Sequence, residues 1–314
     1  MNLYKAFLSM VLIGMAFGQD EDIKMETEQE SDGNHTIVNG DELSRRERAK
    51  RTFLVNVGWV DSSGDDIYAC GGSVILPSAI LTAAHCIRNE TDGTWYPPHW
   101  IDFFRYDKRD AVGTNGIQRY LLGLADCVHH SDWSPWIDDD WSADVAICFL
   151  PTPAPERIQP ITLNTDQNVP AAEGVDLDIS GWGDLWEGGP DSDTPRFVTM
   201  DYTNNANCAT AYDPGDITDV MMCAYTPTKD ACQGDSGGPV TLGKGGSKGG
   251  ILKPELQVGI VSWGGGCARP GIPGVLVRVS ALWPGITSTV CANNGEMCTP
   301  TRPTSKSGKR MLRN

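Results

Sequence analysis

Basic residues are scarce in this chain: 25 Lys and Arg stand against 41 Asp and Glu, leaving a net charge of -16 over 314 residues. Nucleic-acid backbones are bound by clustered cations, so nucleic acid is excluded as a main partner. The same deficit is compatible with a cationic substrate, although solubility alone accounts for it. No two cysteines have CxxC spacing, which removes the usual signature of a cysteine zinc cluster. Long helical repeats are missing, and beyond the first residues no apolar run reaches membrane length. Residues 243–250, Gly-Lys-Gly-Gly-Ser-Lys-Gly-Gly, lack the GxxxxGK[ST] order of a phosphate loop and read as a hairpin insertion between two strands. Only five histidines are present, so imidazole chemistry has few candidates.

What is present points outside the cell. Lys5, the apolar residues 6–17 and the small residues of Ala16-Phe17-Gly18 make residues 1–18 a secretory signal, cleaved before Gln19. Ten cysteines in a secreted chain read as a disulfide framework. Residues 19–36 carry seven acidic side chains against one Lys and cannot bury a core. From Phe53 onward, short apolar runs bounded by Gly, Pro, Asn or Asp predict strands over 53–57, 73–76, 145–150, 175–180, 257–263 and 274–279. Helices are expected near 204–212 and 281–291, with Pro284 tolerable only in the first turn of the second. Pro151, Pro153, Pro155 and Pro160 mark a stiff connector that divides the strands into two groups.

Three motifs carry chemistry. Gly234-Asp235-Ser236-Gly237-Gly238-Pro239 puts one serine in a glycine-rich turn, where its hydroxyl is exposed and backbone N–H groups can converge on one spot. Leu81-Thr82-Ala83-Ala84-His85-Cys86 lies upstream, and Asp144-Val145-Ala146-Ile147 lies between the two. Taken alone, His85 reads as a structural histidine, Asp144 as a solvated loop charge beside Asp138, Asp139 and Asp140, and Ser236 as a turn serine. Together, in the order His, Asp, Ser, they resemble the chymotrypsin/trypsin family of serine endopeptidases, and the resemblance runs from about Ile37 to about Cys291. His129 and His130 are rival bases without the Ala-Ala-His-Cys context.

The resemblance implies an all-β fold of two packed six-stranded antiparallel barrels and a C-terminal helix, with barrel 1 over about 37–150, barrel 2 over about 156–280 and the helix over about 281–291. Residues 19–36 become an activation peptide ahead of Ile37-Val38-Asn39-Gly40, and residues 292–314 a basic C-terminal extension. His85 is the expected general base, Asp144 its orienting carboxylate and Ser236 the nucleophile. The N–H groups of Gly234 and Ser236 would form the oxyanion hole. Asp235 would pair with the amino group of Ile37 freed on activation. Asp230, six residues before the nucleophile, falls at the floor of the primary pocket, where a carboxylate favours Arg or Lys. Gly264 and Gly274 match the pocket walls and Tyr212 a supporting ring. Ser262-Trp263-Gly264 resembles the strand that binds substrate backbone, and Gly181-Trp182-Gly183 the segment beside the activation pocket, with Trp182 read as core packing. Leu276 stands where trypsin-like members carry tyrosine, Asn39 replaces a common glycine, and Thr36 precedes Ile37 where most zymogens have Lys or Arg. An Arg/Lys-specific enzyme should not cut there, so a separate activating protease is expected.

The resemblance pairs Cys70 with Cys86, Cys208 with Cys223 and Cys232 with Cys267. The four remaining cysteines allow three connectivities; Cys127 and Cys148 fall on neighbouring strands flanking the Asp144 loop and are paired, leaving Cys291 and Cys298 to close a C-terminal loop. Asn34-His35-Thr36 and Asn89-Glu90-Thr91 are N-glycosylation sequons, and sugar on Asn34 would hinder cleavage after Thr36. Residues 106–120 lie where some relatives hold calcium, but their only carboxylates are Asp107 and Asp110, so no metal and no organic cofactor is expected. The expectation is therefore a monomeric, extracellular serine endopeptidase, made as a zymogen, that acts on polypeptides after Arg or Lys and is bound by protein inhibitors, with no nucleic-acid or membrane partner. The alternatives are the same fold with another primary preference, or a binding protein that has kept the fold without turnover.

Overall fold

Apolar side chains recur at strand spacing from Leu54 to Arg278, and they sort into two antiparallel sheets. The structure, a computed structural model, describes residues 37–123, 125–138, 140–242 and 255–298. The signal, the acidic segment with the Asn34 sequon, the glycine-rich 243–250 insertion and the tail from 299 lie outside the described residues.

The first sheet has seven strands, in the order Gln118–Leu121, Trp100–Phe103, Leu54–Val60, Asp66–Leu76, Ala79–Thr82, Ala146–Phe149 and Cys127–His129. Its core buries Leu54, Val57, Val74, Ile80, Ile101, Phe103 and Ile147. The second sheet runs Arg196–Thr203, Asp176–Gly181, Pro239–Leu242, Leu256–Trp263, Gly274–Arg278 and Met221–Ala224. It closes on itself where Tyr202 and Thr203 pair with Ala224 and Cys223. That ring encloses Leu177, Ile179, Val198, Met200, Met222, Val240, Val258 and Leu276, with Ile37 among them. Asp41–Glu42 joins it antiparallel, so one N-terminal strand belongs to the C-terminal sheet, and Thr162–Leu163 joins it parallel.

Two expectations need correction. The second sheet closes as a six-stranded barrel, but the first is an open seven-stranded half-barrel. Its edges, Gln118–Leu121 and Cys127–His129, do not pair; between them the N–H of Gly123 donates to the Asp126 carboxylate at 2.6 Å and the N–H of Asp126 to the carbonyl of Gly123 at 3.2 Å. The last helix spans Val279–Asn294 rather than 281–291, which moves Pro284 beyond the first turn. Packing overrides the missing N–H there. Leu282, Ile286 and Val290 recur at i, i+4 and i+8 and seat on the core of the first sheet, although the helix leaves directly from a strand of the second. Burying side chains of this size contributes about 1.5–3 kcal/mol each, more than one backbone hydrogen bond. Gly295, in the left-handed region at φ 76°, ends the helix. The shorter helix runs Asn205–Cys208 and continues as a 3-10 turn, Ala209–Ala211.

Five disulfides join Cys70–Cys86, Cys127–Cys148, Cys208–Cys223, Cys232–Cys267 and Cys291–Cys298. Among the described residues no helix is long and apolar enough to cross a membrane.

The sheets meet at the glycine-rich turn. The N–H of Gly71, on the first sheet, donates to the carbonyl of Ser236 at 2.8 Å, and that of Gly237 to Val261, on the second, at 2.9 Å. Gly237 has φ 76°, and a Cβ there would fall 2.2 Å from Thr82 Oγ1 and 2.7 Å from the carbonyl of Gly71. Gly237→Ala is therefore expected to destabilise the fold by about 1–3 kcal/mol through backbone strain alone, and by more if Thr82 cannot move. Chemical denaturation of purified variant and wild type measures the difference.

Candidate active site

Local geometry places each of the three motif residues. His85 sits in the 3-10 turn Ala84–Cys86 that follows the strand Ala79–Thr82, and the Cys70–Cys86 disulfide tethers that turn to the neighbouring strand Asp66–Leu76. Asp144 precedes the strand Ala146–Phe149, which pairs with Ala79–Thr82, so the sheet brings the two side chains together. Asp144 is fully buried. Its Oδ1 accepts the backbone N–H of His85 at 2.9 Å; its Oδ2 accepts His85 Nδ1 at 2.7 Å and the hydroxyl of Ser262, from the second sheet, at 2.6 Å. Burial alone would push the carboxyl up, but the imidazole and these donors hold it below the usual carboxylate range. Burial likewise works against an imidazolium at His85, yet the charge of Asp144 and the hydrogen bond to it raise the imidazole above its ordinary value, with a smaller push from Glu90.

Ser236 faces this pair across a cleft of about 860 Å³ that His85, Gly234 and Ser236 line together. Among the hydrogen bonds of the described residues, none joins the Ser236 hydroxyl to the His85 ring. Gly234 has φ 90°, a conformation glycine adopts freely. Among the described residues the N–H groups of Gly234 and Ser236 have no acceptor, whereas those of Asp235, Gly237 and Gly238 are all bonded. Two free backbone donors therefore flank the serine.

Ser236 also lines a narrow slot of about 120 Å³, together with Asp230, Trp263, Gly264, Gly274 and Leu276 among others. A Cβ on Gly264 would stand 3.7 Å from the Cα of Gly274, and one on Gly274 would stand 3.0 Å from Asp230 Oδ1, so a side chain at either glycine narrows the slot. Asp230 is 4% exposed; its Oδ2 accepts the N–H of Ala268 at 2.9 Å, and no cation pairs with it among the described residues. Burial pushes its carboxyl up to about 7. Tyr212 donates to the carbonyl of Pro273 and meets Trp263 edge to face, 5.0 Å between centroids.

Asp235 is buried between Gly181 and Gly183, accepting the N–H groups of Gly183 at 2.8 Å and Cys232 at 3.0 Å. Burial raises it to about 6. Trp182 is 2% exposed and donates to the carbonyl of Tyr106. Asn39 takes φ 58° and donates to the carbonyl of Thr228 at 2.6 Å. The rival histidines are engaged elsewhere: His129 bonds Arg88 and the carbonyl of His130, and the ring of His130 lies against Gly285. Asp140 is exposed and caps Ser142.

The sequence did not single out Trp141, whose ring centroid lies 6.0 Å from that of His85. Nor did it single out Lys108, a cation whose Nζ donates to the carbonyl of Trp182 at 3.0 Å and pairs with Asp191, close enough to lower Asp235. Trp141 lies three residues before Asp144 and was within reach; Lys108 carries no local signal, because only the fold brings it near.

The 106–120 loop does not fit a divalent cation. Arg105, 1% exposed, sends Nη1 to the carbonyls of Asp107, Lys108 and Asp110, while its Nε and Nη2 hold the buried Asp102 at 2.8 and 2.7 Å. Asp107 is clasped by Arg109, which holds its carboxyl down at about 2.

A family model described as Trypsin matches residues 37–286. The chain is 37% identical to a vitellin-degrading protease of Bombyx mori over 68% of this chain and 74% of that protein. It is 32% identical to the anionic trypsin of Canis lupus familiaris over 72% and 81%, and 29% identical to trypsin-1 of Salmo salar over 90% and 97%. Fold, cleft and matched length define a serine endopeptidase. The chain belongs to the trypsin family, whose members act on polypeptides and are bound by protease inhibitors.

Because a guanidinium fills the 106–120 loop, added calcium or a chelator should leave the melting temperature unchanged. Arg105→Met should destabilise by about 1–3 kcal/mol, the cost of stranding loop carbonyls and one side of the buried Asp102, which keeps Arg119 at 2.7 and 2.9 Å. Thermal and denaturant unfolding test both.

Proposed function

We propose that this is a secreted serine endopeptidase, made as a zymogen, that hydrolyses peptide bonds after Arg or Lys through an acyl-enzyme. The observation that carries the specificity is Asp230: a buried carboxylate without a cation, at the end of a slot with glycine walls. The five disulfides suit an oxidising, extracellular setting.

In this scheme Asp144 fixes Nδ1–H of His85, which leaves Nε2 to take the Ser236 proton. Ser236 Oγ bonds to the substrate carbonyl carbon, and the oxyanion that forms receives the two free N–H groups of Gly234 and Ser236. Losing one such donor typically costs on the order of 10²–10³ in rate. His85 then hands its proton to the departing amine, the C–N bond breaks, and water repeats the sequence on the acyl-enzyme. Ser262, Trp263 and Gly264 supply the edge on which substrate backbone lies.

Cutting between Thr36 and Ile37 would create an ammonium beside the core of the second sheet, where Ile37 is already buried and the carbonyl of Val38 accepts the N–H of Asp230 at 3.4 Å. Asp235, which forms no ion pair among the described residues, is its counter-ion, and the pair would lock the Gly234–Ser236 turn. Thr36 assigns that cut to a different protease. A second reading, another primary preference, rests on Leu276, which lines the slot where a tyrosine hydroxyl would be.

The imidazole must be neutral to accept a proton. Its pKa is raised, so kcat/KM should fall as pH drops through a midpoint above the ordinary value of 6.5. Asp144→Asn removes the charge and leaves burial dominant, so that midpoint should move below 6.5 while the rate falls about 10⁴-fold, the size known for this change in triads of this kind.

The test of the whole reading is hydrolysis of chromogenic substrates with Arg, Phe or Ala before the scissile bond, by enzyme whose new N-terminus is sequenced as Ile37. Arg should be favoured, and Asp230→Asn should cut kcat/KM for Arg by on the order of 10²–10³ with little change for Phe or Ala. A preference for Phe or Ala supports the second reading, and a start other than Ile37 overturns the activation scheme.

A further inference from the structure

We propose that Asn89 carries an N-linked glycan that fences the leaving-group end of the cleft and sorts partners by size. The inference rests on the secreted, acyl-transferring enzyme described above. Asn89, Glu90 and Thr91 are all exposed, on a turn held by the Arg88–Trp95 bridge. The turn satisfies its own polar groups: the N–H of Asn89 donates to Thr94 at 2.9 Å, and its carbonyl accepts Gly93 at 2.9 Å. Its side-chain Oδ1 accepts the N–H groups of Thr91 at 2.8 Å and Asp92 at 3.2 Å. That fixes the amide plane, and Nδ2 has no acceptor among the described residues. The fold therefore leaves outward the atom to which sugar is attached. Transfer moves the anomeric carbon of an oligosaccharide from a lipid diphosphate to Nδ2. The glycosyl–phosphate bond breaks, and the amide proton leaves with the diphosphate. Donor and transferase belong to the secretory compartment that the signal segment addresses.

The placement makes this sequon more than a surface modification. Asn89 lines the same cleft as His85 and Ser236. The Asp230 slot is a separate pocket that shares only Gln233 and Ser236 with that cleft, and in the scheme above it takes the acyl half of the substrate. The departing amine must lie on the side of His85, which protonates it, and Asn89 stands on that rim. A small leaving group clears a sugar chain there. A folded substrate or a protein inhibitor, whose surface extends past the scissile bond, must approach around it.

The full chain, expressed in secreting animal cells, supplies the test. Wild type, Thr91→Ala, which destroys the sequon, and Thr91→Ser, which keeps it, are compared after activation. Mass spectrometry of the peptide containing Asn89 should find sugar in wild type and Thr91→Ser and none in Thr91→Ala. All three should cleave a small chromogenic substrate with equal kcat/KM, whereas a protein trypsin inhibitor should associate about tenfold faster with Thr91→Ala. Wild type stripped by a glycan-releasing amidase should behave as Thr91→Ala does, which covers a variant that fails to fold. Unmodified Asn89 in secreted wild type overturns the proposal, and so do equal inhibitor association rates with and without sugar. If no form cleaves any small substrate, the enzymatic reading fails, and the mass at Asn89 still decides the modification.

Discussion

One buried carboxylate holds the site together. Asp144 has no exposure to water and survives as an anion because three donors converge on it, two from His85 and one from Ser262. Two donors come from the first sheet and the third from the second, so the group that orients the imidazole also clamps the halves. A buried charge without such partners would cost several kcal/mol. The Gly71–Ser236 hydrogen bond and the helix Val279–Asn294, which leaves the second sheet to seat on the first, fix the same interface from two further directions. In the proposed scheme the reacting groups sit on opposite halves, so the chemistry would depend on that packing.

The other two buried carboxylates of the region are built differently. Among the described residues Asp230 and Asp235 accept backbone N–H groups but form no ion pair, and burial raises them to about 7 and, against a nearby Lys108, about 6. Both bind protons more tightly folded than unfolded, so their contribution weakens the folded chain as pH rises from the ordinary value of 3.8 toward those raised values. In the proposed scheme each awaits a partner, the substrate cation for Asp230 and the new N-terminus for Asp235. Stability is given up where function needs an empty counter-ion site. Five disulfides, each typically worth about 2–4 kcal/mol, help to offset it.

Much of this was legible from sequence, because motifs place their own chemistry. The Ser236 turn, the Ala-Ala-His-Cys turn and the Asp-Val-Ala-Ile strand start each set one backbone geometry; strand pairing in the first sheet brings His85 to Asp144, and the packing of the second sheet brings Ser236 to them. The six predicted strands fall within one or two residues of observed ones at most ends. Two ends depart further: the strand predicted over 53–57 runs on to Val60, and the one containing 73–76 begins at Asp66, its short apolar run Ile67–Cys70 being cut off from 73–76 by Gly71 and Gly72. The open first sheet was missed because closure depends on whether two edges meet, which no local pattern records. Pro284 misled for a related reason: a local rule against proline yielded to the burial of Leu282, Ile286 and Val290. Lys108 and Arg105 were invisible as site-shaping cations, since their partners are carbonyls and carboxylates that only the folded loop assembles.

The central claim is that an imidazole from one half strips the proton from a hydroxyl carried by the other, so the two act as one unit. A double-mutant cycle on the activated enzyme reads this directly: kcat for His85→Ala, Ser236→Ala and the pair. The account predicts that the double variant is no slower than the slower single one, because either loss alone disables the shared step. Losses that multiply in the double variant would show two independent contributions and contradict it.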